Sequence, residues 1–462
     1  GRPPPRRSPR VPRRDRGCGP CRALLRPCDG GGGAPGTPGT TMLSSAGDRR
    51  AEITVAVALT MIAAGAVAFA QVARAKRRRD RVRQALAGLS PLQRRMVGCV
   101  VGSCVADAAA RPLHWIYSRE RMASLLKQGA RDAAFFPRSC SPFYTLPTGR
   151  RSCYGEEVVV GLRALQPAGA FDRRAFLLEL ERTFGEGTEW ARALELRGRM
   201  RGQYRGGRDR ASWSEPVPGP WLNGSVISAL EQWRAHRDLE GAAARRGEPA
   251  PAAPEATGHP ELCESDGLCA ALPVVALLAR IGAPDAPADA RAAAEAAVRD
   301  AVSMLSASPT SVEYALAAAQ LLWGVLAGGS LERAAERFVH SGPGTEAARD
   351  RVGEVLNAAR AAGAGWDAHA DAVHEWGKAC SNPGSFSGGL HAALSSGGDF
   401  ADAVRRTIAA GGCNCSRAVL CGALLGAAGG VEAIPEDWLG RADDAVDVLE
   451  WTARLVRHPS SL

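Results

Sequence analysis

From about Pro91 to Leu462 the chain carries apolar residues at helical spacing. Ala and Leu recur every three or four residues, alternating β-branched runs are scarce, and Gly and Pro separate the segments. No linker divides this region, so the pattern predicts one large, multi-helix all-α domain over residues 91–462. The predicted helices are 92–109, 156–165, 174–184, 222–236, 268–280, 288–305, 311–326, 331–340, 346–362, 387–394, 399–409, 416–428 and 435–456.

The first 41 residues lack this periodicity. Residues 1–41 are rich in Pro, Gly and Arg, a composition that cannot bury enough apolar surface to fold. We expect a disordered leader. Met42 is the first methionine and a plausible initiator, which leaves open whether residues 1–41 belong to the natural product.

An uncharged apolar run follows the leader. Residues 53–73 contain no charged side chain, and this length is close to the roughly 20 residues that span a bilayer. The basic segment 74–90 comes next, and the positive-inside rule would keep it and the following domain in the cytosol. We therefore expect a single-pass transmembrane helix at 53–73 and a basic juxtamembrane linker at 74–90. The alternative is a helix that lies on a surface of a soluble cytoplasmic protein.

The distribution of charge and the number of cysteines narrow the possible partners and the cellular compartment of the protein. The net charge is +10, but residues 1–95 hold 20 Lys and Arg against 5 Asp and Glu, while the remainder holds 38 against 43. The folded region is thus slightly acidic, which argues against a specific nucleic-acid partner. The 13 cysteines are irregularly spaced and odd in number, which indicates a reducing compartment rather than a disulfide framework.

Two short segments at predicted helix entrances carry the candidate chemistry. The first is Cys153-Tyr-Gly-Glu-Glu157, and the second is Gly411-Gly-Cys-Asn-Cys-Ser416. In the second, the two glycines are expected to end one helix that Asp399 caps, and Ser416 is expected to cap the next. Backbone N–H groups and the helix dipole favour anionic side chains at such positions. Whether oxygen or sulfur stands there decides which metal can bind.

Three segments together resemble the ADP-ribosylglycohydrolase superfamily. They are 98–115, which contains Asp107 and Arg-Pro-Leu-His114, then Tyr154-Gly-Glu-Glu-Val158, and finally 399–427, which contains the Gly-Gly-Cys-Asn-Cys-Ser corner and Gly-Ala-Leu-Leu-Gly-Ala. The first is similar to the family's opening Gly-Asp-Ala helix. The other two stand where the family has Thr-Asp-Asp-Thr and Gly-Gly-Asp-Thr-Asp-Thr. The segments 112–117, 152–155 and 382–386 look like the branch of the jellyfish J-type crystallins and selenoprotein J.

The resemblance implies an all-α fold with two Mg²⁺ ions at the bottom of a cleft and hydrolysis of an N- or O-glycosidic bond of ADP-ribose. Several of the corresponding ligand positions are substituted here. Gly155 and Val158 replace threonines, Glu156 and Glu157 replace aspartates, Cys413 and Cys415 replace aspartates, and Ser416 replaces threonine while keeping a hydroxyl. Mg²⁺ requires hard oxygen ligands, and thiolate is a poor match.

Three interpretations remain open from sequence. The favoured one is a catalytically impaired family fold with a structural role or a binding role toward an ADP-ribose-like ligand. In the second, Glu156, Glu157, Cys413 and Cys415 hold Zn²⁺ in an altered hydrolase, in which Asp107 orients groups and His114 donates protons. In the third, Cys415 near a helix N-terminus is a redox or nucleophilic thiol.

Overall fold

The computed structural model describes residues 46–128, 132–165, 171–203, 216–361 and 365–457, so the leader predicted at 1–41 lies outside the described residues. Within these ranges the chain forms eighteen α-helices and one two-stranded pairing, which confirms the predicted all-α class. Strands β1 (Tyr144–Thr145) and β2 (Val217–Pro218) are parallel. The helices are α1 Ala46–Leu86, α2 Pro91–Ala110, α3 Arg119–Gln128, α4 Cys153–Leu165, α5 Arg173–Phe184, α6 Glu189–Gln203, α7 Gly224–Arg246, α8 Asp266–Leu277, α9 Ala288–Ser303, α10 Pro309–Leu326, α11 Leu331–Ser341, α12 Glu346–Ala361, α13 Trp366–Trp376, α14 Gly384–Ser395, α15 Phe400–Ala409, α16 Asn414–Gly429, α17 Trp438–Arg441 and α18 Ala445–Arg457.

Helix α2 begins at a capping box. The Ser90 hydroxyl accepts a hydrogen bond from the Gln93 N–H, the Gln93 side chain accepts one from the Ser90 N–H, and Pro91 fills the first helical position. From Met96 to Ala110 every residue is buried. Among the residues whose side chains the structure describes, which leave out 53, 55–59 and 62, Pro91–Leu113 is the one stretch long and apolar enough to cross a bilayer, and its complete burial is that of a core helix.

Helices α2 and α16 meet along a seam of glycines at the centre of the domain. A Cβ on Gly102 would collide with the carbonyl oxygen of Gly422, and a Cβ on Gly426 would collide with that of Gly98. The two backbones are therefore in direct contact, which only glycine permits. The helix predicted at 416–428 is confirmed, and its many small residues are buried against α2. This contact brings the C-terminal half of α2 next to the start of α16.

The remaining helices surround this pair. Helix α4 packs on α8, α14 packs on α16, and α18 packs on α2. A second apolar cluster centres on α5 and α7, where Phe176 and Trp233 are fully buried. The Trp233 indole donates to Glu181 at 2.9 Å. This layer packs against the face of α4 formed by Cys153, Val160 and Ala164. Helix α4 also carries Glu156 and Glu157.

Most predicted helix positions agree with the structure, and the differences are local. Asp399 caps α15 as predicted, because its side chain accepts from the Asp402 N–H. The prediction for Ser416 is wrong: α16 begins at Asn414, so Ser416 lies in the first turn and Cys413 holds the capping position. The predicted helix 435–456 is two helices, α17 and α18, and α3, α6 and α13 were not predicted.

Helix α1 covers both the apolar run 53–73 and most of the basic segment 74–90. The chain divides into two compact units after Ala68. In the larger unit, Arg81 on α1 donates to Glu450 at 2.8 Å and to Asp447 at 2.6 Å on α18. The segment expected to be a linker is thus helical up to Leu86 and is held to the domain by ion pairs.

Candidate functional site

The corner between α15 and α16 is a backbone turn that only glycine fits. Gly411 and Gly412 have φ of +72° and +67°, in the left-handed region. A Cβ on Gly411 would collide with the carbonyl oxygen of Ile116, and one on Gly412 with that of Lys378. The Trp115 N–H donates to the Gly412 carbonyl at 2.8 Å, and the Gly412 N–H donates to the Ile116 carbonyl at 2.8 Å. The corner is therefore tied to the segment that carries His114.

Cys413 lies at the centre of a buried polar cluster. Its sulfur is 3.3 Å from His114 Nε2, 3.3 Å from the Ser416 hydroxyl and 3.5 Å from the Tyr154 hydroxyl. His114 Nδ1 is in turn 2.9 Å from the Tyr144 hydroxyl. The structure therefore brings the two sequence candidates His114 and Cys413 into direct contact.

Cys380 follows two residues after Lys378, whose carbonyl accepts from the Cys413 N–H at 2.7 Å, and its thiol donates to the Glu264 carboxylate at 3.2 Å. Burial alone raises the pKa of Cys413, but the neighbouring Cys380 thiol and the His114 imidazole outweigh it and hold this pKa well below its ordinary value. The neighbouring Cys413 sulfur, together with burial, raises the pKa of Cys380. Of the two sulfurs, Cys413 thus carries the negative charge more readily.

Asp107, on α2, fixes the segment that leads into α4. It is fully buried and accepts two hydrogen bonds from Ser152, one from the N–H at 2.7 Å and one from the hydroxyl at 2.5 Å. A Cβ on Gly155 would collide with an Asp107 carboxylate oxygen, which explains the glycine at that position. Burial raises the pKa of Asp107 to about 6 in spite of these hydrogen bonds.

Glu156 has a cationic partner on the side of α4 that lines a surface pocket. Its carboxylate is 3.1 Å from the guanidinium of Arg151, which is 4% exposed and also donates to the Asp443 carbonyl at 2.7 Å. Both side chains line a polar pocket of about 430 Å³ together with Asp443 and Asp444. Neither Cys413 nor Cys415 lines that pocket.

Glu157 belongs to a buried pair of carboxyl groups. Its Oε1 atom accepts from the Asn223 amide at 3.4 Å, and the Asp266 Oδ1 atom accepts from the same amide at 2.9 Å. The Glu157 Oε2 and Asp266 Oδ2 atoms are buried and have no hydrogen-bond partner among the described residues. Burial and then the charge of Asp266 raise the pKa of Glu157 well above its ordinary value. Burial and the charge of Glu264 raise the pKa of Asp266 to about 7. Burial thus favours the protonated form of both carboxyl groups.

Cys415, the second thiol of the corner, lies beside Asp107. Its side chain is fully buried, and its sulfur is 4.0 Å from the Asp107 carbonyl oxygen. Burial, with the charge of Asp107, raises the pKa of this thiol well above its ordinary value. Such a thiol is a weak nucleophile. Ser416 donates to the Cys413 carbonyl at 3.0 Å and is 2.8 Å from the Ser385 hydroxyl.

A family sequence profile described as ADP-ribosylglycohydrolase matches residues 88–461. The chain belongs to this family. Crystallin J1A of Tripedalia cystophora is 26% identical over 368 residues, which cover 78% of this chain and 96% of the crystallin. Crystallin J1B of the same organism is 26% identical over 363 residues, covering 79% and 96%. These relatives support the predicted crystallin J branch, and the likeness to selenoprotein J stays a prediction.

Among solved structures, a protein described as an ADP-ribosylglycohydrolase-related protein complex superposes with a TM-score of 0.48. It is 19% identical, and the match covers 81% of this chain and 100% of that chain.

The Mg²⁺ centre that the family implies does not fit the residues present. Of the five predicted ligands, the structure brings Cys413 and Ser416 together, but Glu156 pairs with Arg151, Glu157 pairs with Asp266, and Cys415 faces a carbonyl. Within the described ranges, no group of three or more His, Cys, Asp or Glu side chains is arranged to hold a metal ion.

A half-buried aromatic cluster lies beside His114. The Trp115 and Trp221 rings are 5.3 Å apart, Phe143 is 5.4 Å from Trp115, and the Arg197 guanidinium is 4.0 Å from the Trp221 ring. His114 stacks on Trp115 at 4.3 Å. The cluster places half-buried aromatic rings close to the Cys413 corner, and the buried Arg197 guanidinium covers one face of Trp221.

Several residues of this site could not be identified from the sequence. Tyr154 lies in the segment Cys153–Glu157, but nothing in the sequence assigns it a role. Asp266 opens an apolar helix, a position typical of a helix cap and not of a partner for Glu157. Cys380 lies in the loop before α14, and no pattern marks it. Their roles arise from contacts between distant segments.

Proposed function

We propose that this chain keeps the ADP-ribosylglycohydrolase fold without the family's Mg²⁺-dependent hydrolysis and acts as a structural or ligand-binding protein. One observation carries the proposal: the Glu156 carboxylate forms an ion pair with Arg151 at 3.1 Å, and the corner that it would have to face carries the sulfurs of Cys413 and Cys415. Two Mg²⁺ ions need several oxygen ligands that converge on one point. The relatives named crystallins are consistent with a structural use of the fold.

The ligand-binding part of the proposal rests on the aromatic cluster. Trp115, Phe143 and Trp221 are half-buried aromatic side chains close to His114, and an adenine ring can stack on such side chains. These rings suit the adenine part of an ADP-ribose-like ligand. They need no metal ion to bind it.

We expect the purified full-length chain to release no ADP-ribose from ADP-ribosylated peptides above the enzyme-free rate in 5–10 mM Mg²⁺ (about the usual assay range), since the oxygen ligands are dispersed. An active family member serves as the positive control. Turnover that depends on Mg²⁺ would reject the proposal. About one Zn²⁺ per chain in elemental analysis, lost in Cys413→Ala together with hydrolysis, would support the altered hydrolase instead. Thermal stabilisation by ADP-ribose, lost in Trp221→Leu, separates a binding role from a purely structural one.

We further propose that residues 53–73 anchor the chain in a membrane, with the folded domain in the cytosol. Met61, Val67, Phe69 and Val72 are exposed large apolar side chains on α1, and basic residues follow from Arg74. A helix with this flank suits a bilayer and its anionic cytoplasmic surface.

The full-length chain expressed in cells should stay in the membrane pellet after alkaline carbonate extraction. Replacing Val67 and Phe69 by Lys should release most of it, because each charge near a helix centre costs about 2.5–3.5 kcal/mol of insertion free energy. Leu239→Lys, at an exposed position on α7, is the matched control and should remain in the pellet. Extraction of the unmodified chain into the supernatant would contradict the anchor.

A further inference from the structure

The basic segment of α1 that follows the apolar run is divided between two faces of the helix. In the larger compact unit, Ala85 and Leu86 are buried in the core of the domain, and Val82 packs against that core. Lys76 and Arg77 are exposed and lie about 130° around the helix axis from the middle of this docked face. The segment therefore has one face on the domain and one face turned to solvent.

The arginines near the docked face are paired with carboxylates of the domain. Arg79 forms an ion pair with Glu436, and Arg81 is 2.8 Å from Glu450 and 2.6 Å from Asp447. Each of these three carboxylates already has an arginine partner. None of them is left to neutralise a further cation of α1.

Three cations at the start of the basic segment have no such partner. Arg74, Lys76 and Arg77 are exposed, and within the described part of the chain they form no ion pair. They come directly after the apolar run 53–73 and stand about 15 Å along the helix from Leu86, where α1 meets the core. Like charges this close together on a helix repel each other unless an anionic partner neutralises them.

We propose that Arg74, Lys76 and Arg77 form a binding surface for the headgroups of anionic phospholipids. This inference rests on the proposed membrane anchor, because the apolar run is what brings the three cations to the bilayer surface. A nucleic acid is the less suitable partner. After residue 95 the chain holds 38 Lys and Arg against 43 Asp and Glu, so the domain would repel a polyanion that extends beyond the helix. A layer of headgroups needs to meet only the segment beside the apolar run.

The docking of α1 on the domain keeps these cations available for lipid. Helix α1 runs to Leu86 without a break, so the three side chains belong to a helix that the domain itself holds. A flexible linker would let its cations fold back onto the acidic side chains of the domain, whereas here Arg79 and Arg81 occupy those positions. The basic segment thus attaches the helix to the domain with one set of arginines and meets the lipid with the other.

The test uses the full-length chain reconstituted into phosphatidylcholine vesicles that contain about one-fifth phosphatidylserine, a composition that gives an anionic surface. The chain is extracted again in a mild detergent, and the lipid that stays bound is analysed by mass spectrometry. We expect phosphatidylserine to be enriched about fivefold or more over its share of the vesicle lipid, the ratio that a single basic side chain near the surface supplies. Raising NaCl from about 0.1 to about 0.5 M should remove most of the enrichment, since the screening length falls from about 10 to about 4 Å.

The triple variant Arg74→Gln, Lys76→Gln, Arg77→Gln assigns the effect to this surface. Its bound lipid should approach the composition of the vesicle. Its melting temperature and its recovery in the membrane pellet should match those of the parent chain, because none of the three side chains contacts the domain through an ion pair.

The matched control removes three positive charges from exposed positions of the folded domain. Arg121→Gln, Arg280→Gln and Arg299→Gln, combined in one chain, change the net charge by the same amount and should leave the enrichment intact. An equal loss in this control would show that net charge, and not the surface on α1, selects the lipid, and would overturn the proposal.

The outcomes separate this inference from the anchor on which it rests. A chain that stays in the membrane pellet but binds phosphatidylserine only in proportion to its share of the vesicle lipid would overturn the lipid surface and leave the anchor standing. Enrichment in a chain that alkaline carbonate releases would support the lipid surface and contradict only the spanning helix. Enrichment that survives in the triple variant, or co-purifying nucleic acid in place of phosphatidylserine, would overturn the proposal.

Discussion

Gly422→Ala is expected to destabilise the domain by about 3 kcal/mol, although alanine is the better helix former. The added Cβ would meet the carbonyl oxygen of Gly102 and lie 2.6 Å from the Cβ of Ala106. A backbone carbonyl within a helix cannot rotate away, so α2 and α16 must move apart along their whole contact. Urea unfolding of the full-length chain, followed by circular dichroism, measures the effect as a lower midpoint at unchanged slope.

Gly198→Ala is the matched control for this variant. Gly198 is exposed within α6, and a Cβ there meets nothing within 4 Å. The substitution should be neutral or stabilising by up to about 1 kcal/mol, because it removes only the entropic cost of glycine in a helix. A loss below about 0.5 kcal/mol in Gly422→Ala would show that the two helices tolerate a wider separation.

Helical periodicity carried most of the fold prediction, and its failures have physical causes. Long apolar segments such as α2, α10 and α16 are recognisable because their burial requires a sustained pattern. Helix α13, by contrast, buries only His369 and Val373. Helix α6 carries closely spaced Arg residues, which interrupt the helical periodicity of its apolar positions. Short helices of this kind are stabilised by tertiary contacts, which no local pattern records.

The candidate site was predictable in its donor atoms but not in their partners. The two thiols of the corner, Cys413 and Cys415, are visible in the sequence and raise the question of metal binding. The partners of Glu156 and Glu157 are not visible in the sequence. Glu156 forms an ion pair with Arg151, and Glu157 lies against Asp266, and each contact depends on how α4 rotates against its neighbours. The different surroundings of the two corner thiols likewise follow from packing: one meets a histidine, and the other meets a carbonyl.

A pair of buried histidines outside the site predicts a loss of stability at acid pH. His369 on α13 and His391 on α14 are buried, and their Nδ1 atoms are 2.9 Å apart. Burial lowers the pKa of His369 well below its ordinary value, with further effects from His391, Arg417 and Arg406. Burial, and then Arg406, lowers the pKa of His391 to about 4. Asp402 on α15 is paired with Arg406.

The folded state therefore keeps both imidazoles neutral where the unfolded chain protonates them. Above pH 6.5 neither state is charged at these positions and no stability is lost. As pH falls from 6.5 toward 4, the unfolded chain binds protons that the folded chain does not, so the free energy of unfolding decreases. For His391 alone the decrease is about 3 kcal/mol, at 1.36 kcal/mol for each pKa unit between 6.5 and about 4.

Between pH 7 and pH 4.5 the free energy of unfolding of the double variant His369→Leu, His391→Leu should accordingly decrease by about 2 kcal/mol less than that of the parent chain. Replacing both partners avoids leaving one buried imidazole without its hydrogen bond. His374→Leu, at an exposed position on the same helix, should keep the parent pH profile. Comparing the pH profiles removes the contribution of the Asp and Glu side chains to the free energy of unfolding, because all variants share these side chains. If the double variant and the parent lost equal stability on acidification, the buried imidazoles would not be the source of the acid sensitivity, and the Asp and Glu side chains would have to account for it.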